Sequence, residues 1–115
     1  MPSLQQLSAV IADLQSSLGM SKEVLAIALG VNSRTVDRWC EDGNFPQREA
    51  RKHLEELVAL KDHLYSTFGT KDAVLLWMTT DNNYIGGLKP IEVAKSGRID
   101  RIEAALTALD YGAFV

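Results

Sequence analysis

Residues 22–39 read KEVLAIALGVNSRTVDRW, and they predict two short helices joined by a tight turn. Two helices that cross steeply need a small residue where they touch, and Ala26 stands at that point. Gly30 follows four residues later and gives the turn a residue that tolerates a positive φ angle. The apolar residues expected to point inward are Leu25, Leu29, Val31, Val36 and Trp39. The spacing therefore predicts a two-helix corner with its apolar side chains on one side.

The outward face of the second helix in this corner carries side chains that suit DNA. A helix that reads the major groove contacts base edges from its N-terminal residues. Arg34 and Arg38 are one helical turn apart, and arginine can pair bidentately with guanine. The candidate DNA-binding residues are Asn32, Ser33, Arg34, Thr35, Asp37 and Arg38. The alternative is a purely structural corner, because such corners also occur in proteins that never contact DNA.

The rest of the chain has helical periodicity too, and no segment has the periodicity of a strand. We predict helices over residues 4–18, 22–29, 33–41, 47–68, a fifth helix capped by Thr70, and helices over residues 91–96 and 99–109. In the fifth helix, Ala73, Leu76 and Trp77 are expected to form the apolar face. The fold class is therefore all-α. An N-terminal helix-turn-helix bundle over residues 1–69 is expected to precede a small helical domain over residues 70–115.

Composition limits the classes of function. The chain has 115 residues, of which 46% are apolar and 23% are charged, as in a soluble globular protein. Its net charge of −3 lacks the basic excess that marks many nucleic-acid-binding domains, so a DNA-binding face must be local and must need more than one copy. No apolar run is long enough for a membrane helix, and Cys40 is the only cysteine. A cytoplasmic protein without an internal disulfide is the simplest expectation.

No residue set suggests catalysis. His53 and His63 are both expected on the fourth helix, but their spacing does not put them on one face. The Gly86-Gly87 pair lacks the Lys-Ser/Thr of a phosphate-binding loop and follows no strand. We therefore expect no enzymatic activity, no cofactor and no metal site.

The C-terminal third has a regular frame of glycine and proline. Trp77 precedes an asparagine-containing turn, and Ile85 leads into Gly-Gly-Leu-Lys and then Pro90. One helix is expected to end at Gly97 and the last one near Tyr111-Gly112. This frame resembles the toxin-binding domain of the Xre/MbcA/ParS antitoxins, and residues 22–39 resemble the helix-turn-helix of Xre-type regulators.

The resemblance implies an antitoxin of a type II toxin–antitoxin system. Such a protein neutralises a RES-type, NAD-degrading toxin by covering the entrance to its active site, and represses its own operon through the helix-turn-helix. The implied partners are the cognate RES-type toxin, a double-stranded DNA operator and a second copy of the chain. The positions that could face the toxin are Asn82, Asn83, Lys89, Arg98, Tyr111, Phe114 and Val115.

Two other functions remain open. One is a free-standing helix-turn-helix transcriptional regulator whose C-terminal module dimerises or senses a ligand. The other is a small interaction protein with no role at DNA. Dimer contacts are expected on the fourth helix and on the apolar stripe Leu4, Leu7, Ile11, Leu14 and Leu18. Burial of that stripe inside one chain is the competing interpretation.

Overall fold

The computed structural model describes residues 4–42 and 44–112, with side chains from Gln6 onward. Within these residues the chain forms seven α-helices: α1 (Leu4–Leu18), α2 (Lys22–Leu29), α3 (Ser33–Glu41), α4 (Arg48–Phe68), α5 (Lys71–Met78), α6 (Pro90–Ala94) and α7 (Ile99–Asp110). A single 3₁₀ turn, Asn83–Ile85, lies between α5 and α6. The predicted all-α class is confirmed, and none of these helices is long and apolar enough to cross a bilayer.

Side-chain caps fix where three of the helices begin. Ser21 accepts a hydrogen bond from the amide of Val24 at 3.1 Å, and Thr70 accepts one from Ala73 at 3.2 Å. Asn32 caps α3 in the same way. Such caps satisfy amides that have no partner inside the helix, which is why polar residues at these places predicted the helix starts well. The largest deviation is in α6, which ends at Ala94 rather than Ser96.

One hydrophobic core runs through the described chain, with α4 at its centre. This helix packs against α1, α2, α5 and α7. Its side chains Leu57, Leu60 and Leu64 are fully buried. The α1 stripe is also buried in this core, at Leu7, Ile11, Leu14 and Leu18. The part of the stripe that the structure describes is therefore buried within the chain, and only Leu4 has its side chain outside the described set.

The two predicted modules share that core. The C-terminal end of α1 packs against α5, and α2 packs against α6. The Lys71 ammonium of α5 donates to the Ser16 hydroxyl of α1 at 3.0 Å. Gly69 ends α4 in a left-handed backbone conformation, and the same core continues on both sides of it. The assignment of separate functions to residues 1–69 and 70–115 stays a prediction.

Candidate interaction surfaces

The first surface is built on the corner between α2 and α3. Gly30 ends α2 with a φ of 77°, and the amide of Val31 donates to the Ala26 carbonyl at 3.0 Å, which closes the turn. The side chains of Val36 and Trp39 are buried with those of α2. Because the inner side of the corner is packed, the direction in which α3 points its outer face is fixed.

Two arginines stand on the outer face of α3. Arg34 and Arg38 are exposed, and neither takes part in an ion pair within the part of the chain described. Ser33 and Thr35 lie beside them and are half-buried. Both guanidinium groups therefore lie on the exposed side of α3, and their role at DNA stays a prediction.

Two other predicted DNA-binding residues are engaged within the chain. The Asn32 side-chain oxygen accepts from the Thr35 amide at 2.9 Å and from the Thr35 hydroxyl at 3.0 Å, so it holds the first turn of α3. Asp37 forms an ion pair with Lys22 of α2 at 2.9 Å, and this hydrogen bond raises the pKa of Lys22. Asn32 therefore caps α3, and the negative charge of Asp37 is paired with a cation of the neighbouring helix.

The second surface is the loop that joins α5 to α6. The Asn82 amide donates to the Leu88 carbonyl at 3.0 Å, and the Gly87 amide donates to the Asn82 carbonyl at 2.9 Å. The Asn82 side chain accepts from the Tyr84 amide at 2.9 Å. Ile85 is buried beneath the loop. The loop is consequently closed by its own hydrogen bonds, and Asn82 is one of the residues that close it.

The other residues predicted to face a toxin are placed as follows. Asn83 and Lys89 are exposed, and Tyr111 is 86% exposed. Arg98 is exposed but holds Asp100 with two hydrogen bonds, at 3.0 and 2.9 Å. Phe114 and Val115 lie outside the described residues. Of the exposed residues, Asn83 and Lys89 belong to the loop between α5 and α6, and Tyr111 follows α7.

Sequence reasoning missed a group of exposed apolar side chains. Leu76 is 68% exposed, Tyr84 is 51% exposed and Leu88 is 49% exposed. The expectation that Leu76 lies on the buried face of α5 was wrong, because Val74 and Met78 fill that face. Trp77 packs partly into the core against Phe68, with ring centroids 6.0 Å apart. The missed signal was that α5 is apolar nearly all round, so one of its leucines had to face solvent.

An apolar groove lies between α1 and α4. It has a volume of about 530 Å³, and its walls include Val10, Phe45, Leu54 and Val58. Charged residues Arg51, Glu55 and Asp62 stand along it. No group of three or more histidine, cysteine or acidic side chains is arranged to hold a metal ion in residues 4–42 and 44–112.

The C-terminal part of the chain is similar to a known protein domain. The model of the antitoxin Xre/MbcA/ParS C-terminal toxin-binding domain matches residues 63–112, which run from the second half of α4 to the end of the described chain. Residues 63–112 are therefore similar to the toxin-binding domain of the Xre/MbcA/ParS antitoxins.

The similarity extends beyond the toxin-binding domain. Over 109 residues the chain is 27% identical to the mycobacterial cidal antitoxin MbcA of Mycobacterium bovis and of Mycobacterium tuberculosis, covering 95% of this chain and 96% of the relative. It also matches a chain in the crystal structure of the M. tuberculosis MbcT–MbcA toxin–antitoxin complex. That match has a TM-score of 0.68 at 27% identity and covers 95% of this chain and 97% of the other.

Proposed function

We propose that this chain is an antitoxin, which binds a RES-type toxin that degrades NAD and inhibits it by covering the entrance to its active site. The observation that carries the proposal is the match of residues 63–112 to a toxin-binding domain, within a similarity to MbcA that spans 95% of the chain. MbcA occurs in a solved complex with the toxin MbcT. The chain would act by binding alone, because the exposed loop between α5 and α6 and the exposed Tyr111 suit protein contact. We place this activity in the cytoplasm.

The proposal is tested with the product of the gene adjacent to that of this chain. The two proteins are co-expressed, co-purified and assayed for loss of NAD. We expect a stable complex, with NAD loss by the free toxin abolished once the antitoxin is equimolar. A neighbouring protein that binds but leaves NAD intact would refute the RES assignment. Absence of any complex would favour a free-standing regulator.

We further propose that the α2–α3 corner binds the operator of the same operon. The exposed arginines Arg34 and Arg38 support this role, because they occupy the part of α3 that would enter a major groove. Each good arginine–guanine pair is worth about 1–3 kcal/mol of base discrimination. Replacement of Arg34 by alanine should weaken binding to the promoter and relax base preference.

The operator test uses titrations of promoter and scrambled DNA at several salt concentrations. Lys95→Ala, which removes a cation from the C-terminal half, is the matched control. Wild-type protein should prefer its own promoter, and the preference should fall for Arg34→Ala but not for Lys95→Ala. If wild-type protein binds promoter and scrambled DNA equally well, the operator proposal is refuted and only the role as a toxin inhibitor remains.

A homodimer is the third part of the proposal, with the groove between α1 and α4 as the contact between copies. Val10, Leu54 and Val58 give this groove apolar walls, which a two-fold contact would bury against the same walls of a second copy. Two copies would also present two α3 helices to the two half-sites of an operator, which adds the affinity that one copy with few basic residues lacks.

Light scattering tests the dimer contact. Val58→Asp places a charge in the apolar groove and should convert the dimer to a monomer. Ala104→Asp, on an exposed position of α7, is the control and should leave the dimer intact. A monomeric wild-type protein, or a dimer that tolerates Val58→Asp, would refute the proposed contact.

A further inference from the structure

The apolar side chains left exposed in the C-terminal half are concentrated in residues 76–88. Within the described residues, the large apolar side chains that are most exposed are Ile27, Leu76, Tyr84, Leu88 and Tyr111. Three of the five fall within this short stretch. Single apolar residues scattered over a surface need no explanation, but a concentration of them often marks a binding surface.

Local hydrogen bonds hold this stretch in shape. At the end of α5 the Thr80 hydroxyl donates to the Leu76 carbonyl at 2.5 Å, and the Thr79 hydroxyl donates to the Leu75 carbonyl at 2.8 Å. The loop begins directly afterwards and is closed by the Asn82–Leu88 pair described above. Tyr84 and Leu88 are thus presented from a loop that is already ordered. Binding through an ordered loop loses less conformational entropy.

Other residues fill the core positions of α5 and of the loop that follows it. Val74, Met78 and Ile85 already fill the buried positions of the same elements. Leu76, Tyr84 and Leu88 are exposed, and so are the polar residues Asp72, Asp81, Asn83 and Lys89 of the same part of the chain. An apolar centre with a polar surround is the usual make-up of a protein–protein contact, in which tyrosine is enriched among the residues that dominate affinity.

We propose that Leu76, Tyr84 and Leu88 form the apolar centre of the surface that binds the toxin. This inference rests on the proposed function and specifies the contact. The partner is a folded protein that presents an apolar patch of its own, because burying these side chains against a charged or wet surface would gain little. The residues lie inside the segment that matches a toxin-binding domain, which favours the toxin over a second copy as the occupant.

The test compares three full-length variants with wild-type protein for affinity to the co-purified toxin, measured by calorimetry. Tyr84→Ala with Leu88→Ala should weaken binding by about tenfold or more, and Leu76→Ala should also weaken it. Ile27→Ala is the matched control, because Ile27 is 50% exposed on α2. It should change affinity by less than about twofold. Circular dichroism confirms that the variants keep their helices.

Each outcome decides a different question. Affinities within twofold of wild type for all variants would overturn this surface while leaving the antitoxin role intact. A change in the protein's own oligomeric mass, with toxin affinity retained, would assign the surface to a second copy and also overturn the inference. Failure of wild-type protein to bind the toxin would overturn the proposed function itself and the surface with it.

Discussion

His63 of α4 is hydrogen-bonded through Nε2 to Asp110, the last residue of α7, at 2.5 Å. Its other ring nitrogen, Nδ1, contacts Glu103, which also belongs to α7. The Thr67 hydroxyl donates to the second oxygen of Asp110 at 2.9 Å. One imidazole therefore joins α4 to two positions on α7, Glu103 and Asp110, and it donates to both only when both ring nitrogens carry protons.

The protonation of His63 predicts a pH dependence of stability. Partial burial lowers the pKa of His63, but the hydrogen bonds to Asp110 and Glu103 outweigh it and raise the pKa above 6.5. The hydrogen bond from His63 lowers the pKa of Asp110 below 3.8. The contribution of His63 to the free energy of unfolding is thus complete below about pH 6.5, and it is lost as the pH rises through the raised pKa. The carboxylate contribution is present above about pH 4 and is lost in acid.

Replacing His63 by glutamine should consequently cost most between these limits. We expect a loss of about 1 kcal/mol near pH 6, or roughly 4 °C in Tm. The difference from wild type should shrink as the pH is raised towards 9. Thermal unfolding followed by circular dichroism at several pH values measures this. The same difference at pH 6 and pH 9 would mean that the charge of His63 contributes nothing.

The contact of Gly19 with Leu75 predicts the effect of a methyl group. Gly19 joins α1 to α2 with a φ of +68°, and a Cβ there would lie 2.9 Å from the Leu75 Cδ2 atom of α5. Gly30 has a similar φ of +77° but no atom close to the same place. Gly30→Ala should therefore cost only the backbone penalty, about 1–2 kcal/mol. Gly19→Ala should cost more, because Leu75 must also move.

Urea unfolding of both alanine variants separates the two costs. If Gly19→Ala and Gly30→Ala are equally destabilising, Leu75 adapts freely and the approach of α5 to this turn is loose. A larger loss for Gly19→Ala shows that packing between α1 and α5 limits the stability of the whole chain.

The capping role of Asn32 can be distinguished from a role at DNA. Asn32→Ala removes the acceptor for the Thr35 amide and should cost about 1 kcal/mol of stability. Asn32→Ser keeps a cap and should be nearly as stable as wild type. If only the cap matters, the serine variant also keeps its affinity for the promoter. If the serine variant is stable but binds DNA weakly, the amide itself contacts the nucleic acid.

The ion pair of Asp37 with Lys22 predicts a gain in DNA affinity. Asp37→Asn removes a negative charge from the outer face of α3 and releases the Lys22 ammonium. We expect promoter binding to tighten by about two- to fivefold at low salt, with a smaller gain at high salt. Asp81→Asn makes the same change of charge in the other half of the chain and should have no effect. Stability should hardly change, because exposed ion pairs contribute little.

Local rules account for what the sequence predicted well. Asn32 and Thr70 predicted helix starts because a cap depends only on the next three residues, and Gly30 predicted a turn because of its own φ preference. The face on which Leu76 lies depends instead on which side of α5 meets α1 and α4. Periodicity could not decide this for a helix that is apolar nearly all round. The contacts of His63 with α7 and of Lys22 with Asp37 join positions distant in sequence, and no spacing rule anticipates them.

The packing of α1 against α5 limits how this chain could be recombined with its relatives. A chimera that joined a foreign N-terminal segment to residues 70–115 would present Leu75 with a different surface. Such an exchange would need glycine at position 19, where a Cβ would lie 2.9 Å from Leu75, and a partner for Lys71 at position 16. Exchange of the N-terminal half therefore requires that the contact between α1 and α5 is transferred with it.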